Sequence, residues 1–140
     1  IQDAYTLINV NRYLHCRRPV YVSTATQNNP WEWVDPPMYL GVEYRTTERY
    51  NGKPVYVKAI EFGALPNATT KSVSHSASNV DVCIRATGSI TSGDKRSIPF
   101  ADSNGRVDIY GDSGLVTIKT DYNYSSLSAY ATIWYTKTTD

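Results

Sequence analysis

The sequence has few of the residue types that most often carry reactive chemistry. Its 140 residues include two cysteines, two histidines and one methionine. Two cysteines do not make a disulfide scaffold, and whether Cys16 and Cys83 pair stays open at this stage. A nucleophile needs a base within hydrogen-bond reach, and strand neighbours such as His15 and Cys16 point to opposite faces. A dyad would therefore require Cys83 to meet His75, so nucleophilic catalysis is disfavoured.

The chain also lacks an excess of either charge and any long apolar run. Fourteen basic residues against thirteen acidic ones leave a net charge of +1, which offers no basic surface to nucleic acid or to an anionic membrane. No apolar segment approaches the roughly 20 residues of a membrane-spanning helix, and no signal peptide is visible. We expect no nucleic-acid partner and no membrane insertion. Because the chain starts with Ile1, we expect it to be a piece of a longer protein.

The sequence contains no clear metal or cofactor motif. It has no CxxC, no HxxxH and no acidic loop with the glycine and glutamate spacing of a calcium site. Asp102, Asn104 and Asp108 near Gly105 faintly suggest calcium, but a tight turn gives the same pattern without an ion. We expect neither a cofactor nor a metal.

The sequence is rich in tyrosine, at 12 of 140 residues, and carries one strong hairpin signal. Asn51-Gly52 suits a two-residue type I′ turn, which needs positive φ at both central positions. The flanking segments are rich in tyrosine and β-branched residues, so strands are predicted at 41–50 and 53–62. Both exceed the usual strand of about five or six residues, and further sheet must cover them.

Alternation of apolar and polar residues predicts several more strands. They lie at 19–26, 70–75, 80–87 and 127–137, with a hairpin around 111–114 and a short edge strand at 96–100. Residues 88–95 read as a flexible connection. In 80–87 the predicted apolar face consists of Val80, Val82, Ile84 and Ala86, and in the last strand of Ala129, Ala131, Ile133 and Tyr135. Cys83 is expected to be an inert, packed side chain.

Eight to ten strands with frequent turn signals and no amphipathic helix predict an all-β, antiparallel β-sandwich. Residues 27–38 hold three prolines, which remove backbone donors and disfavour an interior strand. We therefore divide the chain into an N-terminal arm over 1–35 and a β-sandwich domain over 36–140. Residues 1–14 fit neither period cleanly, and an irregular strand is preferred to a short helix.

Acidic residues on the central hairpin raise the question of glycan cleavage. A glycosidase needs two carboxylates about 5–10 Å apart in a cleft, and Glu43 and Glu61 could approach each other across the strands. Glu48 lies on the same hairpin. The preferred interpretation is that each glutamate pairs with a nearby cation on a solvated face. Those cations are Arg45, Arg49 and Lys58.

Aromatic residues in polar loops are the best candidates for ligand contact. Sugar recognition uses flat aromatic faces together with carboxylates, amides and hydroxyls. One predicted cluster lies in and after the proline-rich loop, and the other lies before the last strand. The first comprises Trp31, Trp33 and Tyr39, and the second Asp121, Tyr122, Asn123, Tyr124 and Ser125. Packing or a subunit interface is an alternative role for both clusters.

The string PPMYLGVEYRTTERYNGKPVYVKAIEF, from Pro36 to Phe62, resembles a module found at the C-terminal ends of bacteriophage and prophage tail proteins. The strings GALPN after it and KSVSH at 71–75 continue the resemblance, and SAYATIWYTKTTD at 128–140 resembles the end of the same module. The similarity runs from Pro36 to the end of the chain, with 76–104 alike only in character. No binding residue is carried over, because no motif defines the contact site.

The resemblance implies a receptor-binding tip domain of a tail fibre, homotrimeric, at the distal end of the virion tail and outside the cell. Its partners would be other virion tail proteins and a host cell-surface glycan or protein, and it would not be an enzyme. A structural virion protein, such as a fibre-cap, tail-attachment or capsid-decoration domain, is the main alternative. A glycan-cleaving tail enzyme is the third and least favoured.

Overall fold

The structure, a computed structural model, describes residues 39–140, which fold into two antiparallel sheets. This confirms the predicted all-β class with a sandwich of antiparallel sheets. Within these residues there are nine strands and no helix. The strands are β1 (Glu43–Tyr50), β2 (Lys53–Ala64), β3 (Thr70–Ser74), β4 (Val80–Ile90), β5 (Ser97–Ile98), β6 (Phe100–Asp102), β7 (Gly105–Gly111), β8 (Leu115–Thr120) and β9 (Ser128–Lys137). The predictions for the arm over 1–35, the strand at 19–26, Cys16, Trp31 and Trp33 lie outside the described residues.

One sheet has five strands in the order β1-β2-β9-β4-β5, and the other has four in the order β3-β8-β7-β6. The last strand in sequence, β9, thus lies in the middle of the five-stranded sheet, between β2 and β4. Its inward residues were predicted correctly, and all are completely buried. They are Ala129, Ala131, Ile133 and Tyr135, and they pack with Val107, Val116 and Ile118 of the four-stranded sheet.

The central hairpin is confirmed with its turn. Asn51 and Gly52 have φ values of 47° and 79°, as a type I′ turn requires. Arg49 pairs with Pro54 and Arg45 with Tyr56, so β1 has two more residues than β2 between these pairs. This bulge lifts part of β1 from the regular ladder.

The two sheets approach closely at one glycine. A Cβ atom on Gly111 of β7 would lie 2.7 Å from Sγ of Cys83 and 3.3 Å from Cγ2 of Ile133, both on the facing sheet. Cys83 packs against the core, as predicted for an inert side chain.

The predicted face of β4 is partly wrong. Val82 is 40% exposed, whereas its neighbour Cys83 packs against the core. The pairing of β4 with β9 shifts register twice, once before and once after Cys83. Each shift changes which residues point inward, so a strict alternation cannot hold.

The segment after β4 also differs from prediction. Residues 88–90, predicted as part of a flexible connection, belong to β4, and Gly88 pairs with Ile98. The single edge strand predicted at 96–100 is two strands separated by Pro99. Because β5 belongs to the five-stranded sheet and β6 to the four-stranded one, the chain crosses between the sheets here.

Candidate ligand-binding loops

One end of the sandwich is built from four connections, which we call the loop end: residues 65–69, 91–96, 103–104 and 121–127. Backbone hydrogen bonds join the first and last of these into one unit. The amide of Ala68 donates to Tyr122 O (3.0 Å), and that of Leu65 donates to Leu127 O (2.8 Å). The amide of Tyr124 donates to Pro66 O (3.2 Å). Three backbone hydrogen bonds therefore fix the loop over 121–127, which carries most of the predicted contact residues, to the loop over 65–69.

Tyr124, predicted as a ligand contact, lies mostly buried. It is 7% exposed and belongs to the core cluster. Its ring packs edge-to-face on Phe100, with ring centroids 6.0 Å apart, and its hydroxyl donates to Asp102 (3.4 Å). Tyr124 therefore anchors the loop instead of offering a surface to a ligand, which corrects the prediction.

Tyr122 is the predicted aromatic that remains accessible at the loop end. It is 51% exposed, and its ring packs edge-to-face on Tyr124 at 5.6 Å with an interplanar angle of 71°. A buried ring thus supports an exposed one. This arrangement fixes the exposed ring and leaves much of its surface open to a partner.

Asp121 and Asn123 bracket Tyr122 and hold the loop in shape. Asp121 Oδ2 accepts a hydrogen bond from the Arg106 amide (3.0 Å), and the Arg106 Nε lies 3.9 Å from the same oxygen. Asn123 Oδ1 accepts from the amide (3.0 Å) and the hydroxyl (2.7 Å) of Ser125. The side chain of Asp121 stays 42% exposed. Both residues stabilise the loop, and part of the Asp121 carboxylate side chain remains exposed to solvent next to Tyr122 in the chain.

Arg96 is a residue of the loop end that the sequence did not identify as a candidate. Its guanidinium lies 4.2 Å from the centre of the Phe100 ring, its Nη1 donates to Asp102 Oδ2 (2.8 Å) and its Nη2 pairs with Asp94. The backbone amide of Asn104, followed by Arg96, lowers the pKa of Asp102. The turn at 102–105 was readable from sequence, but no local pattern links it to Arg96.

Tyr39 is 64% exposed but does not join this end. The adjacent Leu40 bridges to Ala59, in the middle of β2. Leu65, where the loop end begins, is six residues further along, or roughly 20 Å at the rise of a strand. The structure therefore separates Tyr39 from Tyr122, and Trp31 and Trp33 lie outside the described residues.

The carboxylates Glu43 and Glu61 do not form a glycosidase pair. Glu43 pairs in register with Lys58, whereas Glu61 lies three residues further along β2. An odd spacing on a strand places two side chains on opposite faces. Glu43 and Glu48 do not form ion pairs with the predicted cations. Glu43 binds Lys137 and the Tyr135 hydroxyl, and Glu48 binds Arg85 at 2.8 Å.

The histidine and the cysteine in the described part do not form a reactive dyad. His75 is 1% exposed, its Nδ1 accepts from the Ala77 amide (3.1 Å), and its Nε2 therefore donates to Asp112 O (3.2 Å). Both ring nitrogens are thus occupied by backbone groups. Burial, followed by the charge of Asp112, raises the pKa of the Cys83 thiol, which opposes nucleophilicity at neutral pH.

Among residues 39–140 no three His, Cys, Asp or Glu side chains gather as a metal site would need. The faint calcium pattern is a turn, in which Asp102 Oδ1 accepts from the Asn104 amide (2.9 Å). The same part of the chain contains no helix of the length and apolarity that crossing a bilayer requires.

Comparison with known proteins gives no relative to set beside this site. No protein-family model, no curated protein and no solved structure matches the chain.

Proposed function

We propose that this chain is a non-enzymatic attachment domain of a bacteriophage tail fibre, located at the distal end of the virion. Its loop end binds a glycan or protein on the host cell surface. Two observations support the proposal: the resemblance of 36–75 and 128–140 to phage tail modules, and the accessible aromatic ring of Tyr122 at one end of the sandwich.

The observation that carries the proposal is the edge-to-face pair formed by Tyr122 and Tyr124. Tyr124 is buried and Tyr122 is half exposed, with their rings 5.6 Å apart. A ring that is already fixed loses little conformational entropy when a ligand covers it. Tyrosine is also among the residues that most often dominate binding energy.

Polar groups beside Tyr122 suit hydroxyl-rich ligands. Asp121 is 42% exposed and Arg106 66% exposed at their side chains, and they face each other at 3.9 Å. The pair offers acceptors and donors with no net charge. Such a surface favours sugar hydroxyls or a polar protein surface over a highly charged polymer.

The test is binding by the full chain to bacterial cells and to an array of bacterial O-antigens and capsular polysaccharides. Tyr122→Ala is expected to weaken binding about tenfold or more, because truncating an aromatic anchor costs on the order of 1.4 kcal/mol or more. Tyr110→Ala is the matched control, since Tyr110 is 53% exposed on β7, away from the loop end. Equal binding by both variants, or none by the unmodified chain, would contradict the proposal.

A structural virion role is the second candidate, and one observation favours it. Three apolar residues beside the edge strand β1 are exposed: Tyr39 at 64%, Leu40 at 41% and Val42 at 43%. Adjacent exposed apolar residues often mark protein contacts, and a subunit of a homotrimer or another tail protein would cover them. Under this alternative the chain binds no host cell, while Tyr122 is also covered in the assembly.

A further inference from the structure

The outer face of the five-stranded sheet, which points away from the four-stranded sheet, carries an open cleft of about 280 Å³. It lies on the central hairpin, next to the bulge of β1, and is bounded on the far side by β4. Its lining residues are Glu48, Arg49, Tyr50, Val55, Ile84 and Arg85. The bulge adds two residues to β1 between Arg45 and Arg49, which displaces Glu48 from the ladder and opens this space.

An ion pair fixes the polar wall of the cleft. Arg85 Nη2 donates to both carboxylate oxygens of Glu48, at 2.8 and 3.1 Å. The guanidinium also lies 4.6 Å from the centre of the Trp134 ring, so it is held between an indole and a carboxylate. The two side chains remain 47% and 48% exposed. Arginine has five N–H donors, and this contact uses only one nitrogen, so donors and acceptors remain for a ligand.

The other wall is apolar and includes a ring. Tyr50 is 47% exposed, whereas Val55 is 2% exposed and forms a closed floor. A sugar residue has the matching chemistry, because its hydroxyls both donate and accept while its C–H face packs on an aromatic ring. The volume lies just below the usual range for drug-sized ligands, about 300–1,000 Å³, and suits one monosaccharide unit.

We propose that this cleft is a second glycan-binding site that takes a single sugar unit of the host polysaccharide. Glu48 and Arg85 bind the hydroxyls and Tyr50 packs on the ring. The inference rests on the proposed attachment function and adds to it a substrate class and a second contact point, away from Tyr122. Two weak contacts on one long glycan would raise the overall affinity through effective concentration.

Tryptophan fluorescence provides a local readout. The chain has three tryptophans, and Trp134 lies directly beneath Arg85. In a Trp31→Phe/Trp33→Phe background the emission therefore reports on this face alone. The full chain is titrated with methyl glycosides of neutral hexoses, N-acetylhexosamines and uronic acids, and at least one is expected to change the emission in a saturable way.

Glu48→Gln and Tyr50→Ala are each expected to weaken that binding about tenfold or more. The matched control is Glu61→Gln, which alters an exposed glutamate on the same face of β2, away from the cleft, and should leave the titration unchanged. Thermal unfolding of each variant checks that the fold is intact. A titration that no sugar saturates, or that Glu48→Gln and Tyr50→Ala leave unchanged, would overturn the inference.

The two proposals fail separately. If array binding depends on Tyr122 but the glycosides do not perturb Trp134, the attachment function stands and the second site falls. If a glycoside binds beside Trp134 and this binding depends on Glu48, but no polysaccharide or cell is bound, the cleft is a sugar site, whereas the attachment function and the assignment of the cleft to a host polysaccharide fall.

Discussion

At the scale of single residues, Gly111 sets how closely the two sheets can approach. The space where a side chain would begin is occupied by Cys83 Sγ at 2.7 Å and by Ile133 Cγ2 at 3.3 Å. Real Cβ atoms do not tolerate the shorter of these distances. Either the strands must separate or Cys83 must change rotamer, and both disturb a close-packed core.

Gly111→Ala is therefore expected to lower the free energy of unfolding by about 1–3 kcal/mol, as overpacked cores do. Urea denaturation would measure the change. Gly114→Ala is the control, since no atom lies within 4 Å of its Cβ position, and its effect should stay within about 0.5 kcal/mol. If steric conflict is the cause, adding Cys83→Ala to the Gly111→Ala variant costs less than Cys83→Ala alone. Additive effects of the two changes would contradict this explanation.

The two loop tyrosines illustrate how far the sequence determines a site. The polar residues around these two tyrosines predicted a surface loop that carries aromatic rings. Tyr122 does lie exposed in such a loop. Tyr124, two residues later, is buried because Phe100 and Asp102 receive its ring and hydroxyl. Those partners lie more than twenty positions earlier, in β6, the strand that follows the crossing between the sheets. No local period in 121–127 carries that information.

At the scale of elements, the β7–β8 turn depends on one carboxylate. Asp112 Oδ1 accepts hydrogen bonds from the amides of Gly114 and Leu115, both at 2.8 Å. These bonds favour the ionised form and lower the pKa of Asp112 below its ordinary value of 3.8. The stabilisation is thus present above that ordinary pKa and is lost as pH falls through the lower pKa of the folded state.

Asp112→Asn is expected to destabilise the protein at pH 7, and the gap to the unmodified chain should narrow as pH falls below about 4. Asparagine keeps an acceptor for the two amides but does not titrate. Urea midpoints at pH 7, 5, 4 and 3 would follow the gap, and the other carboxyl groups are common to both proteins. A gap that stays constant over this range would show that the charge of Asp112 does not stabilise the turn.

Elements with a strong local signal were predictable, and those defined by pairing were not. The Asn51-Gly52 turn and the buried face of β9 follow from φ preferences and alternation, so the sequence was sufficient. The prediction that Val82 faces the core was wrong, because two register shifts between β4 and β9 interrupt the alternation of inward and outward residues. The sequence did not predict that Pro99 separates two strands, because strands of two and three residues are too short to show an alternation of apolar and polar residues.

At the scale of the whole molecule, the exposed strip Tyr39, Leu40 and Val42 beside the edge strand β1 bears on assembly. Its members are at least 41% exposed. Among residues 39–140, β1 lies at the edge of its sheet, and an edge strand can offer backbone groups to another chain. These features favour the homotrimer that the resemblance implies, because association would remove apolar surface from water.

Light scattering at micromolar concentration should give about three times the chain mass of 15.7 kDa. The double variant Leu40→Glu/Val42→Glu should shift the protein to the monomer, because charges would have to be buried unpaired. Leu115→Glu is the control, since Leu115 is equally exposed at 41% but lies on β8. A monomeric unmodified chain, or a trimer that persists in the double variant, would contradict this interface.

The position of β9 has a consequence for synthesis. β2 and β4 leave the ribosome well before it, and their facing edges have no partner until residues 128–137 follow. The five-stranded sheet can therefore close only after β9 has been synthesised, and until then the apolar strands β2 and β4 are exposed to association with other chains. A stop codon ahead of Ser128 would thus release a chain that lacks the strand between β2 and β4, and we expect such a chain to be degraded more readily than the complete domain.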